Sequence, residues 1–169
     1  MTKKNYLPVY TLSEELINSI SHGVGTCLSI AALVLCIVQA AVNGTAAGVV
    51  SACIYGVSLT MLYIMSTLYH AITNRTARKV FRVFDHTSIF FLIAGTYTPI
   101  TLVTLGGALG WTLFGLVWGA AIVGIVLNAV SIEKFKKFSM ICYICMGWAA
   151  LIGIKTIYER LPGNGFTFL

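Results

Sequence analysis

Charge is the scarcest property of this sequence. Of 169 residues only 9% are charged, 11 Lys+Arg against 5 Asp+Glu, and Asp85 is the single aspartate. A soluble domain covers its surface with polar side chains and typically carries about 25% charged residues. That shortage excludes a soluble enzyme, a disordered chain and a nucleic-acid-binding domain. Two further features are missing. No alternation with a period of two supports a membrane β-barrel. No cleavable signal stands at the start, where Glu14 and Glu15 precede a first apolar run that is too long and lacks a small-residue cleavage site. What fills the sequence is apolar: 58% of its residues, with mean hydropathy +0.90.

A membrane helix needs roughly 20 consecutive apolar residues, and this stock suffices for about five. The runs lie at about 20–42, 46–69, 85–105, 111–130 and 138–154. Lipid leaves only helices or closed barrels able to satisfy the backbone, so the expected fold is an all-α, multi-pass transmembrane bundle with five spans. Residues 166–169, Phe166 to Leu169, read as the start of an incomplete sixth span, and the chain as truncated there. The break after the second run carries Arg75, Arg78, Lys79 and Arg82, and the break after the fourth carries Lys134, Lys136 and Lys137 against Glu133. The breaks after the first and third runs are uncharged. Basic and neutral breaks thus alternate, which by the positive-inside rule puts the N-terminus, with Lys3 and Lys4, on the cytoplasmic side. The net charge of +6 is therefore a topology signal, its basic ends able to meet anionic lipid headgroups, and not a nucleic-acid footprint. Residues 6–17 are expected along the interface. Pro99 should kink the third span or end its regular part, and Gly115 and Gly119 form a GxxxG that allows close helix contact. Five cysteines inside apolar runs, Cys142 and Cys145 among them, read as small apolar filler.

Polar groups at membrane depth are costly and usually face the bundle interior. Glu15, Asn18, Ser19 and His22 share one helical face at the start of the first span. Ser66 and His70 share a face at the end of the second, and Asp85, His86 and Ser88 open the third. All three histidines and the aspartate therefore fall near one end of three consecutive spans. Imidazole and carboxylate at matching depth suit a metal site or a proton relay; they equally suit hydrogen bonding to one another and to headgroups at the interface. His86 is read as interfacial. His22 is either an interhelical hydrogen-bonding group or a functional one. His70 is better placed, with Ser66 one turn deeper to orient it or a bound water. Asp85 is either an N-cap or the holder of a metal-bound water.

Glu15-x-x-Asn18-x-x-x-His22-Gly23, Ser66-x-x-x-His70, Asp85-His86-x-x-Ile89 and Ala94-Gly95-Thr96-Tyr97-Thr98-Pro99 together resemble the bacterial hemolysin III family. That family is the prokaryotic branch of the progestin and adipoQ receptor group. The resemblance implies a seven-helix protein of a bacterial plasma membrane, its N-terminus inside. It further implies a zinc ion near the cytoplasmic side with His70 as one ligand and Asp85 on the zinc-bound water. The remaining two histidine ligands, on the seventh helix, are expected beyond Leu169. Stopping before the sixth and seventh helices, this chain is expected to bind metal weakly and to be inactive.

Three functions compete at this point. The first is a zinc-dependent hydrolase of a membrane-lipid amide or ester, with His70 as ligand, Asp85 positioning or deprotonating water, and Ser66 in support. The second is a non-enzymatic regulator of lipid composition or a lipid sensor. The third, following the family name, is a pore-forming cytolysin, which sits poorly with spans that belong to a constitutive membrane bundle. In each the expected partners are membrane lipids.

Overall fold

The structure is a computed structural model and describes residues 7–160. Lys3 and Lys4 lie outside the described residues, and so does the expected sixth-span start from Phe166 to Leu169. Among the described residues every element is helical: α1 (Leu12–Asn43), α2 (Ala46–Ala71), α3 (Arg75–Pro99), wider helical turns over Ile100–Leu105, α4 (Gly107–Trp148), a tight turn of helix over Ala149–Gly153, and α5 (Ile154–Arg160).

Local chemistry sets the starts. Thr11 opens α1 with a capping box, its hydroxyl accepting from the Glu14 N–H while the Glu14 carboxylate accepts from the Thr11 N–H. Thr45 caps α2, and the Asn74 side chain caps α3 by accepting from Thr76 and Ala77. These caps move two boundaries from where hydropathy suggests them. Residues 12–17 form the first turns of α1. The basic group Arg75, Arg78, Lys79 and Arg82 rides on α3, leaving only residues 72–74 as a connection. Hydropathy misses such ends because the membrane boundary, unlike the helix, stops where the charges begin. Pro99 ends the regular part of α3, as its missing N–H requires. Gly106 and Gly107, with φ of 55° and 56°, then turn the chain into α4.

Four helical segments among the described residues are long and apolar enough to cross a membrane: Leu12–Asn43, Ala46–Ala71, Arg75–Leu105 and Gly107–Arg160. The last has 54 residues; straight, it would run about 80 Å against a hydrocarbon core of roughly 30 Å. It does not run straight. Ser131 leaves helical geometry at φ −167° and ψ 105°. Across that bend the Ser139 hydroxyl donates to the Asn128 side-chain oxygen at 2.8 Å, whereas eleven positions along a straight helix span about 16 Å. α4 is therefore a helical hairpin whose limbs, 107–130 and 132–148, run back along each other. It holds the fourth apolar run and the fifth as far as Trp148.

α1 packs on α2, α2 on α3 and α3 on α4. α3 is the central element, with 44% of its apolar stretch buried against 6% for α1. Its Phe90, Ala94 and Tyr97 form the core with Val117, Ala121 and Met146 of α4. Large apolar residues such as Leu28, Leu35, Leu116 and Val130 point outward, as lipid-facing residues do. Six hydroxyls, those of Ser29, Ser58, Thr87, Ser88, Thr98 and Thr101, donate to carbonyls three or four residues back. Among the described residues the GxxxG of α4 makes no close helix contact, since a Cβ on Gly115 or Gly119 would meet nothing within 4 Å. Close approach occurs elsewhere, where a Cβ on Gly95 would overlap Ser58 and one on Gly124 would overlap Phe90.

Candidate functional site

The start of α1, the end of α2, the start of α3 and the bend of α4 meet at one end of the bundle. Glu15, Asn18, Ser19 and His22 are half-buried along α1, while Leu16, Ile17 and Ile20 on the same turns are exposed. The polar face thus looks inward, toward α2, and two cross-helix bonds join them there. His22 Nδ1 lies 2.6 Å from Ser66 Oγ. One turn nearer the membrane boundary, His70 Nδ1 lies 2.7 Å from Glu15 Oε2.

These pairs revise one expectation. Ser66 serves His22 and not His70; the group that orients His70 is Glu15. The other Glu15 oxygen contacts the Arg78 guanidinium of α3, so one carboxylate ties three helices together. The site is nearly enclosed, with 9% of the His70 side chain, 13% of Glu15 and 19% of Arg78 accessible. The His70 ring is flanked by Tyr10 and Tyr69, with centroids at 5.4 and 4.7 Å. Arg78 lies over the Tyr69 ring at 5.4 Å, a placement that favours the cation.

Asp85 sits within α3, two turns beyond Arg78, and within electrostatic range of His70. It is not an N-cap, because Asn74 holds that position. Its nearest basic neighbour is His86, with 3.5 Å between Nδ1 and Oδ2. His86 Nδ1 is also 3.0 Å from the Arg82 carbonyl, and the His86 carbonyl accepts from the Tyr143 hydroxyl. His86 therefore belongs to the α3–α4 seam rather than to an exposed loop. Arg82 reaches Glu133 just past the α4 bend. Asn18 shares the inward face without joining either of the two bonds between α1 and α2.

Sequence reasoning missed Arg78 and Arg82 as site residues because both were absorbed into the topology argument. A signal did exist: Arg78, Arg82 and Asp85 recur at i, i+4 and i+7, one face of a helix once that helix is known to begin at Arg75. Chemically, a His whose Nδ1 is held by a carboxylate has its ring orientation fixed and presents Nε2, the arrangement in which imidazole binds a metal or shuttles a proton. The donor type at His70 suits zinc. The ligand number does not: among the described residues no three His, Cys, Asp or Glu side chains gather about one point. The two further histidines expected beyond Leu169 have no counterpart in this sequence, whose three histidines are His22, His70 and His86. Neither His22 nor His86 substitutes for them, since His22 Nδ1 is held by Ser66 and His86 Nδ1 faces the Arg82 carbonyl of its own helix.

A protein-family model described as haemolysin-III related matches residues 10–168. Hemolysin-3 of Bacillus cereus is 46% identical over 169 residues, covering all of this chain and 77% of its own length. The Hemolysin-3 homolog of Bacillus subtilis (strain 168) is 44% identical over 161 residues, 95% of this chain and 76% of its own. More distantly, the human Monocyte to macrophage differentiation factor is 27% identical over 113 residues, 64% of this chain and 48% of its own. No solved structure matches the chain.

Proposed function

The chain belongs to the haemolysin-III related family, and from that premise we propose that this membrane protein acts on membrane lipid through the histidine–carboxylate belt at one end of its bundle. The observation carrying the reading is the Glu15–His70 pair, closed by Arg78, between helices that otherwise face lipid. A charge at such depth is retained where it has work to do. The proposed activity is hydrolysis of a lipid amide or ester. Glu15 fixes the His70 ring and Asp85, one helix away, is placed to hold or deprotonate water. Ser66, hydrogen-bonded to His22, supports the site from α2. A zinc ion, when bound, would supply a polarised carbonyl and an acidified water. His70 fits as one of its ligands, but one imidazole and a nearby carboxylate fall short of three ligands, and no step is derived through the ion. The wider architecture belongs to the same proposal: the limbs of α4 cross separately, giving five passages of a seven-helix fold in the plasma membrane.

Protein purified in detergent, loaded with zinc and freed of excess, tests this directly. Retained zinc that falls at least severalfold in His70→Ala supports the ligand assignment, and equal zinc in both proteins removes it. Release of fatty acid from lipid that disappears in Asp85→Asn supports hydrolysis. Release that persists unchanged overturns it, as does haemolysis by added protein without any lipid turnover, which would favour a cytolysin.

A further inference from the structure

A second site lies where α4 bends, at the same end of the bundle but between α3 and α4 rather than between α1 and α2. A cavity opens there, walled by Lys79, Arg82 and Val83 of α3 and by Asn128, Ser131 and Glu133 around the bend, with Leu7 at its edge. The bend shapes its chemistry. Ser131 caps the second limb by accepting from the Lys134 N–H, and Asn128, Ser131 and Glu133 on either side of the bend line the cavity. Arg82, with 12% of its side chain accessible, lines the cavity from α3; its planar fork suits phosphate oxygens. Exposed Lys79 adds a second cation. The carboxylate of Glu133 now answers Arg82, yet it is half exposed and free to yield. Beside the cavity the surface turns apolar, with Val80, Phe84 and Val130 all exposed.

We propose that this cavity binds the phosphodiester of an anionic phospholipid, with its acyl chains lying along Val80, Phe84 and Val130. Charge at headgroup depth bordered by an apolar wall matches a lipid and not a free anion, which has no use for the wall. The site does not depend on the hydrolase reading, because none of Glu15, His22, Ser66, His70 or Asp85 lines it. Bound there, the lipid would join α3 to the α4 hairpin in place of the Arg82–Glu133 pair.

The test uses the detergent-purified protein in phosphatidylcholine nanodiscs, with labelled phosphatidylglycerol titrated in. Lys79→Gln should weaken binding about fivefold, the effect of one basic side chain near an anionic surface. Lys137→Gln, the same charge change outside the cavity, should leave it within about twofold, since that charge acts only through screened, diffuse attraction. Glu133→Gln should tighten binding by removing the competing carboxylate, and Arg82→Gln should weaken it most. Since Arg82→Gln also removes an interhelical bond, the Lys79 and Glu133 variants decide the matter. Equal losses in Lys79→Gln and Lys137→Gln would reduce the effect to diffuse attraction and overturn the site. Loss of binding in Glu133→Gln would overturn it too. Inorganic phosphate displacing the lipid mole for mole would replace the lipid assignment with a free-anion site.

Discussion

At the scale of single residues, the organising group is Glu15. Its two oxygens serve His70 and Arg78, so α1, α2 and α3 are held through one side chain. With both partners of the Glu15–Arg78 pair largely enclosed, removing one leaves the other charged and unpaired near lipid. That is the costly case for an ion pair, while removing both is much milder. A cycle of Glu15→Gln, Arg78→Met and the double variant, read by thermal unfolding in detergent, should give a coupling of about 1–3 kcal/mol. A coupling under about 0.5 kcal/mol would mark an ordinary exposed pair. The same logic separates the glycines. Gly95→Ala must push α3 off Ser58 and should cost about 1–3 kcal/mol. Gly119→Ala, facing open space, should be neutral or slightly stabilising, as Ala is the better helix former. Equal effects would refute the close α2–α3 contact.

At the scale of elements, what could be read from the sequence was what composition controls. Long apolar runs and the break at Pro99 both follow from local chemistry, and both stand in the structure. What was not legible depends on partners. Nothing local to Ser66 says that it meets His22 rather than His70, and nothing local to Arg78 separates a site residue from a topology marker. The GxxxG of α4 misled for the same reason, since a small-residue pattern states only that approach is possible. The α4 hairpin lies between these cases. The charges from Glu133 to Lys137 announced an interruption, but the helix continues through them, and only Ser131 breaks. The bend is held by the buried Asn128–Ser139 bond. Asn128→Leu and Ser139→Ala should each lower stability by about 1–2 kcal/mol, through a lost bond and, in the second, an unpaired buried amide oxygen. The double variant should be no worse than the poorer single one, because both remove one interaction. Additive losses would mean that the two limbs are not joined there.

For the whole molecule, contacts and charge rule contribute different halves of one argument. Geometry decides which ends lie together. Glu15–Arg78 places the start of α1 beside the start of α3, and Arg82–Glu133 places the α4 bend beside both. At the other end, Arg160 of α5 donates to the Leu105 carbonyl at 2.6 Å, which sets the last described turn beside the junction of α3 and α4. Geometry is silent on which end faces the cytoplasm. The seven basic residues on the first end, Arg75, Arg78, Lys79, Arg82, Lys134, Lys136 and Lys137, supply the expectation there, because translocating them would run against the positive-inside bias. The expected topology therefore puts residues 73 and 136 inside and residues 44 and 106 outside. Fusions at these four positions to alkaline phosphatase, active only when exported, and to a fluorescent protein, bright only in the cytoplasm, would read it out. Fluorescence at 73 and 136 with phosphatase activity at 44 and 106 is the expected pattern. Full inversion would overturn the orientation and leave the contacts intact. Phosphatase activity at both 106 and 136 would show that the first limb of α4 does not cross, and the five-passage reading would fall with it.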